Sequence, residues 1–453
     1  MSLKKMIVSG AAALALMGSA AYAVTQVAED GTGDYLLAPV YYTTSNWQTD
    51  LKVVNTNTTN AVVAKVVIRD RKDSAEVIDF PIYLTPGDVW TGTLYWGSDG
   101  RLHVKSSDDS MMVYVNGTLM NGANQTIDLY PTDPNLVGKG KIGYVEVFGL
   151  AQWNATLIDP AWTWPNPLNK TAFFNYVRSP LDNSLHGAGA QDVGNNVLAG
   201  KQTIYYGTPQ AQNELRYMSL NMYALEGVSE NPDMQNVLNV DTKMGPNGNV
   251  ARRATSIDEM DDALRKIHIY AMYEGDGTTL YPFRVHFTAP TKKYHALNTG
   301  TASLTNYGYT YDGTGTDVTD YYYFLDTQTT IIKDNSENPH YCHEEYNETI
   351  DDVSGTTEQN QTEECPKLPL PYEVSIIDGD VTLINGPQGA FAEGGYIDFD
   401  LTPNVDENGK TGMPVVPTSF NAKGFDIGGQ TYYLNNHLYN QYLKEQSTDN
   451  NID

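Results

Sequence analysis

Cysteine is scarce in this sequence: Cys342 and Cys365 are the only two in 453 residues. Neither sits in C-x-x-C or C-x-x-C-H, which excludes covalent haem and iron–sulfur centres. Basic residues are also few. Lys and Arg number 28 against 55 Asp and Glu, a formal net charge of -27. Nucleic acid and anionic lipid both need a positive footprint, so neither is an expected partner. Beyond the first 23 residues there is no apolar run long enough for a membrane-spanning helix. G-x-S-x-G, H-E-x-x-H and triad-like clusters are missing. The glycine-rich HGAGAQDVG at 186–194 lacks a Walker lysine and a strand–loop–helix frame, so it does not read as a nucleotide loop.

What the chain does have begins with MSLKK, a basic segment. An apolar run, MIVSGAAALALMGSA, follows, and then Ala21-Tyr22-Ala23. This is the succession of a secretory signal peptide, so the mature chain is expected to start at Val24. Two cysteines in an exported chain are expected to form a disulfide. Closing their loop of roughly 22 residues is worth about 3 kcal/mol in the chain-entropy account.

The organising stretch runs from Asp34 to Tyr95. LKVVN, AVVAKVVIRD, VIDFPIYL and VWTGTLY are β-rich runs separated by turn residues. LKVVN and AVVAKVVIRD read as a hairpin-like pair or as neighbouring sandwich strands. In the second run Val62, Ala64, Val66 and Ile68 line one face, and Lys65 and Arg69 suit a wet one. KIGYVEVFGLAQW places Tyr144, Glu146 and Phe148 on one side and Val145 and Val147 on the other. The expected fold is mainly β: an antiparallel β-sandwich core with long Gly/Pro/Asn-rich loops and one or two short helices. The 32 tyrosines, against 11 Phe and 6 Trp, suit half-exposed strand faces and protein or sugar contacts.

The expected organisation is a signal peptide over 1–23 and a β-sandwich-like domain over 24–153. An irregular Trp/Pro/Gly-rich connection over 154–210 follows, then a second β-rich region over 211–445 and a polar tail over 446–453. Ser256-Ile257-Asp258-Glu259 is a capping box that predicts a helix near 256–267, with Met260, Ala263, Leu264 and Ile267 at helical spacing. That helix start also accounts for the carboxylates of Asp258, Glu259, Asp261 and Asp262. In FRVHF, Phe283, Val285 and Phe287 share a side opposite Arg284, His286 and Thr288.

Several residues are candidates for chemistry. Asp312, Asp317 and Asp320 could ligate calcium, but EF-hand order is absent and turn aspartates are the competing reading. His340, Cys342, His343 and Cys365 have zinc-ligand types, in competition with the disulfide. Asp398 and Asp400 share one strand face, an arrangement open to a hydrolase's paired carboxylates, with no second wall visible. Trp153, Trp162 and Trp164 stand beside Asn and Asp and are candidate interface or ligand residues. Lys292-Lys293 is a basic pair that either meets an acidic partner or is solvated. Seven N-x-[ST] sequons start at Asn57, Asn116, Asn124, Asn154, Asn169, Asn347 and Asn360.

The blocks GDYLLAPVYYTTSNWQTDLKVVNTNTTNAVVAKVVIRD and SAEVIDFPIYLTPGDVWTG, with the later DEMDDALRK, AMY, FRVHFTAPTKKYH and the cysteine-flanked polar loop, resemble a family of large exported β-rich proteins of sulfur- and metal-metabolising bacteria. The resemblance spans residues 33–100, 255–296 and 340–420. It departs at Arg284, His286 and Ala289, where a W-V-V-T-F-P-T-K form is expected. It implies export, a β-rich fold and a cell-surface or extracellular location rather than the periplasm.

The expected function is a non-catalytic exported structural protein that self-associates into a filament or layer. The alternatives are an adhesin for surface glycans and a secreted hydrolase. Self-association is expected through the extended start of the mature chain, 24–38, which could lie on its own sheet or reach into a neighbour's and pair there.

Overall fold

The structure is a computed structural model that describes residues 26–44, 47–72, 74–115, 118–177, 196–206, 216–226, 259–274, 283–291, 328–332, 350–351, 357–358, 373–379, 394–401, 410–427 and 430–436. Strands β1 (Gln26–Val27), β2 (Tyr35–Tyr42), β3 (Trp47–Asn55), β4 (Asn60–Asp70), β5 (Glu76–Leu84), β6 (Val89–Trp96) and β7 (Leu102–Ser106) come first. The hairpin β8 (Met112–Val115) and β9 (Thr118–Asn121), then β10 (Ile127–Leu129) and β11 (Ile142–Asn154), follow. Helices α1 (Ala155–Ile158) and α2 (Lys170–Val177) precede β12 (Leu198–Tyr206), β13 (Arg216–Asn221) and β14 (Tyr223–Glu226).

These elements build two six-stranded antiparallel sheets, as the alternating β-branched runs predict. The inner sheet has the order β1-β14-β2-β11-β4-β5, and the outer sheet β10-β7-β6-β3-β12-β13. Residues 198–226, beyond the expected sandwich segment, thus supply three of its strands. β3 and β4 do not pair with each other, because the chain crosses between sheets at 56–59. Asn55 shapes that crossing: its amide donates to the carbonyls of Asn60 (2.9 Å) and Thr85 (3.0 Å).

Between the sheets lies a core of Leu36, Val62, Val66, Ile68, Phe80 and Val147 against Leu51, Val53, Trp90, Leu94 and Val104. The predicted face of β4 is therefore correct. The opposite face of the inner sheet is not wet. Lys65 and Arg69 are only 3 % and 0 % exposed, because a second apolar layer covers them. That layer joins Tyr35, Val63, Val67, Tyr83, Tyr144 and Phe148 to Phe173, Phe174 and Val177 of α2, and to Met260, Leu264, Val374 and Val416 from the second half of the chain.

α2 was not anticipated within the proline-rich connection. It begins three residues after Pro167, with the Asn169 side chain accepting from Ala172 N (2.9 Å) as an N-cap. Its aromatic face meets Tyr83 edge-on, with ring centroids 6.1 and 5.0 Å away.

The second half contributes β15 (Arg265–Lys266), β16 (His268–Glu274), β17 (Phe283–Thr288), β18 (Gln328–Ile332), β19 (Ile350–Asp351) and β20 (Thr357–Glu358). β21 (Val374–Gly379), β22 (Gly394–Asp400), β23 (Met413–Pro414), β24 (Val416–Ile427) and β25 (Gln430–Asn436) complete the described elements. They form a four-stranded sheet β21-β17-β24-β25, a three-stranded sheet β16-β22-β18 and two-stranded pairs. The helix predicted near 256–267 is helical over 259–264 among the described residues, with Met260 and Leu264 buried as expected. It stops earlier because Arg265 and Lys266 pair with Pro414 and Met413, and Val415 N donates to Leu264 O.

The four-stranded sheet docks on the inner sheet through the polar side of β17. Pro39 lies in β2, where two residues oppose one on β11, a bulge. Its carbonyl accepts from the Thr288 hydroxyl, and the neighbouring Val40 carbonyl accepts from Gln202 Nε2 at 2.8 Å. His286 is fully buried. Its Nδ1 faces the Thr418 carbonyl (3.4 Å), which only accepts, so that nitrogen carries the proton. Nε2 then accepts from the Tyr42 hydroxyl (2.6 Å), and Arg284 Nη1 donates to the same hydroxyl oxygen (3.2 Å). Burial first, and the nearby Arg284 charge second, push the His286 imidazole down to about 3.

A second polar cluster seals the layer. Arg69 Nε donates to Glu146 Oε2, Arg69 Nη1 to Ser74 O (3.1 Å), and Tyr35 to Glu146 Oε1 (3.0 Å). Gly143 is required beside it, since a Cβ there meets the Arg69 carbonyl oxygen at 1.8 Å.

Candidate functional site

Alternation on the outer sheet leaves one side of β3, β6, β7 and β12 in solvent. Their outward residues line an open hollow of ≈ 930 Å³. Register fixes who meets whom. Lys201 on β12 lies opposite Lys52 on β3, which lies opposite Thr91 on β6. In the next row Thr203, Asp50, Thr93 and Lys105 run across four strands.

Hydrogen bonds fix the middle of this face. Asp50 Oδ1 accepts from Thr93 Oγ1 (2.6 Å) and from the Tyr205 hydroxyl (3.3 Å). The same hydroxyl donates to Gln48 Oε1 at 2.9 Å. Burial, then the Asp50 charge, raises the Tyr205 hydroxyl above its ordinary range, so it stays protonated and donating. At one end Tyr95 donates to Asp128 Oδ2 (2.7 Å), and burial raises its hydroxyl too. His103 is clamped there, Nδ1 against Asp128 Oδ1 and Nε2 against Asp99 Oδ1, both at 3.0 Å, between the rings of Tyr95 and Tyr130. The bond to His103 is the main cause that lowers the Asp99 carboxyl.

Lys52, Lys105 and Lys201 are exposed on this face, and none forms an ion pair among the described residues. Two of them are directly opposed, an arrangement that is unfavourable without an anion between them.

The structure separates the tryptophans. Trp153 is fully buried against Phe173, with centroids 6.1 Å apart, and offers no surface to a ligand. Trp162 packs on the same apolar layer and donates from Nε1 to Asn166 O (2.7 Å). Trp164 is 49 % exposed and lies across the turn at Gly87, where a Cβ would come within 2.3 Å of its ring. They do not form one stacking platform.

Asp398 and Asp400 occupy alternate positions of β22, opposite Tyr270 and His268. Asp312, Asp317, Asp320, His340, Cys342, His343, Cys365, the Lys292-Lys293 pair and the 186–194 loop lie outside the described residues. Among the described residues no group of three or more His, Cys, Asp or Glu is arranged for a metal ion. Asp88, Asp108 and Asp109 converge, but on Lys170 Nζ, 2.8 Å from Asp88 Oδ2.

The sequons at Asn57, Asn154 and Asn169 have a local structural use. Asn57 Oδ1 accepts from Thr59 N (2.8 Å), and Asn154 Oδ1 from Thr156 N (3.0 Å), as Asn169 does for α2. Sequence reasoning missed the lysine trio. Each lysine does sit at an outward position of an alternating run, but only the topology brings 52, 105 and 201 together.

No helix among the described residues is long and apolar enough to cross a membrane. No protein-family model, curated protein or solved structure matches the chain.

Proposed function

We propose that this chain is a non-catalytic exported structural protein of the bacterial cell surface or extracellular matrix, able to self-associate. The observation that carries the reading is how its buried ionisable groups are used. Arg69–Glu146, the buried Lys65 with its exposed partner Asp79, and the His286–Tyr42–Arg284 chain tie the sandwich together or bind the second half of the chain to it. Such satisfied networks rigidify a scaffold. The basic–apolar–Ala21-Tyr22-Ala23 start supports export, and a Cys342–Cys365 bond fits the oxidising compartment.

Of the two placements open to the extended start, the one seen from residue 26 onward is its own sheet. β1 pairs with β14 of its own chain, and Tyr35–Ala38 belong to the buried strand β2. Residues 26–38 are therefore used within their own sheet, and deleting 24–38 would unfold the sandwich rather than test assembly. Among the described residues, the exposed faces and the sheet-edge strands such as β5, β10 and β13 offer contact surfaces. The hollow of the outer sheet favours a second reading, an adhesin.

Fractionation of native cells with intact-mass analysis tests the proposal, together with sedimentation and microscopy of the purified mature protein. The expected result is a chain starting at Val24, found at the surface or in the matrix, that forms ordered polymers. A periplasmic protein that stays monomeric at high concentration contradicts it.

A further inference from the structure

We infer that the outward face of β3, β6, β7 and β12 is a binding site for an acidic polysaccharide. This goes beyond the structural reading and does not depend on polymerisation. The first argument is charge. In a chain of net charge -27, three exposed lysines without an ion pair gather on one hollow, against Asp50 in its lining and Asp128 opposite Lys105 on β10. Lys201 and Lys52 oppose each other across a strand pair, which an anion between them would relieve.

The second argument is spacing. Lys52 and Lys105 are two strands and one residue pair apart. Strand spacing and rise alone put their backbones roughly 12 Å from each other. A ligand must therefore present repeated, separated negative charges along an extended chain, as a uronic-acid polymer does.

The third argument is the remaining chemistry. Thr91, Thr93, Thr203 and Ser107 supply hydroxyls that suit sugar hydroxyls, and the half-buried Tyr205 and Tyr95 supply ring faces for sugar C–H groups. Tyr205, Gln48, Asp50 and Thr93 are held in place by their mutual bonds, so this part of the site is preorganised. An acidic peptide is the poorer match. Peptides add to sheets at edges, through free main-chain groups, whereas β3, β6 and β12 are paired on both sides.

The test is binding of the full mature protein to immobilised polygalacturonate, a neutral glucan and polyglutamate, at about 0.15 M salt. A chelator is included so that divalent cations cannot bridge acidic groups. The expected result is binding to polygalacturonate that exceeds polyglutamate by at least about tenfold, with none to the neutral glucan. The triple variant Lys52→Gln/Lys105→Gln/Lys201→Gln should weaken it about tenfold or more with an unchanged melting temperature, while the corresponding Lys→Arg variant retains it. Tyr205→Phe should weaken polygalacturonate binding alone. Equal capture of polyglutamate, or full binding by the folded triple Gln variant, overturns the inference. Either result leaves the assembly state, and so the structural reading, to be judged separately.

Discussion

Strands β3 and β4 are separated only by residues 56–59, yet they meet opposite environments. β3 alternates along WQTDLKVVN, with Thr49, Leu51, Val53 and Asn55 inside and Lys52 outside. β4, NAVVAKVVIRD, is buried at every position after Asn60. The inner sheet as a whole follows β4: all eight residues of β2 are buried, and so is β11 between its end residues. A strand covered on both faces reads as an almost continuous apolar run, whereas a strand wet on one face alternates. In the inner sheet, the ions that interrupt such a run are structural elements. In the outer sheet, they are surface.

The sharpest way to break this difference is at the buried pair. Glu146→Ala leaves Arg69 charged and enclosed, and is expected to cost about 3–5 kcal/mol in denaturant unfolding. Replacing both partners, Arg69→Met with Glu146→Leu, should recover most of that loss. A single variant no worse than the double one would contradict the account of the inner layer.

A pH series sharpens the comparison next. The folded value of His286 is about 3, below its ordinary unfolded value of about 6.5. The unfolded chain therefore takes up a proton that the folded chain refuses. This contribution is complete above about pH 6.5 and is lost as the pH falls toward about 3, a swing of order 5 kcal/mol. His286→Gln keeps a neutral hydrogen-bonding group without the titration, so unfolding midpoints should depend less steeply on pH across that window. Parallel slopes for both proteins would remove His286 from the interface account.

The same substitution on the two sheets makes the smallest and most direct contrast. Lys65 Nζ lies 2.7 Å from Asp79 Oδ2 and is enclosed. Lys65→Gln should cost about 1–3 kcal/mol, and Lys52→Gln should fall within about 0.5 kcal/mol of wild type. Comparable losses would mean that the sheets do not differ as described.

Much of the fold was legible in the sequence. The runs LKVVN, AVVAKVVIRD, VIDFPIYL, VWTGTLY and KIGYVEVFGLAQW all became strands, and Val62 to Ile68 face the sandwich core. The unread part lay in residues whose partners are remote. Lys65 and Arg69 read as wet because a lone ion in an apolar run marks solvent unless a counter-ion is known, and Glu146 is 77 positions away from Arg69. The continuous apolar character of YLLAPVYY was the available sign of a second cover. The helix after Ser256 ended early because Met413 and Pro414 claim Arg265 and Lys266 for a strand pair. Of the tryptophans read as interface or ligand candidates, Trp153 is core. The lysine trio was invisible because it comes from three distant segments.

Lysine acylation of the native protein, read peptide by peptide by mass spectrometry, tests the central claim directly. If the inner sheet is closed on both faces and the outer sheet is open on one, Lys52, Lys105 and Lys201 react at the rate of free surface lysines while Lys65 stays protected until the chain unfolds. Modification of Lys65 as fast as Lys52 under native conditions would contradict it.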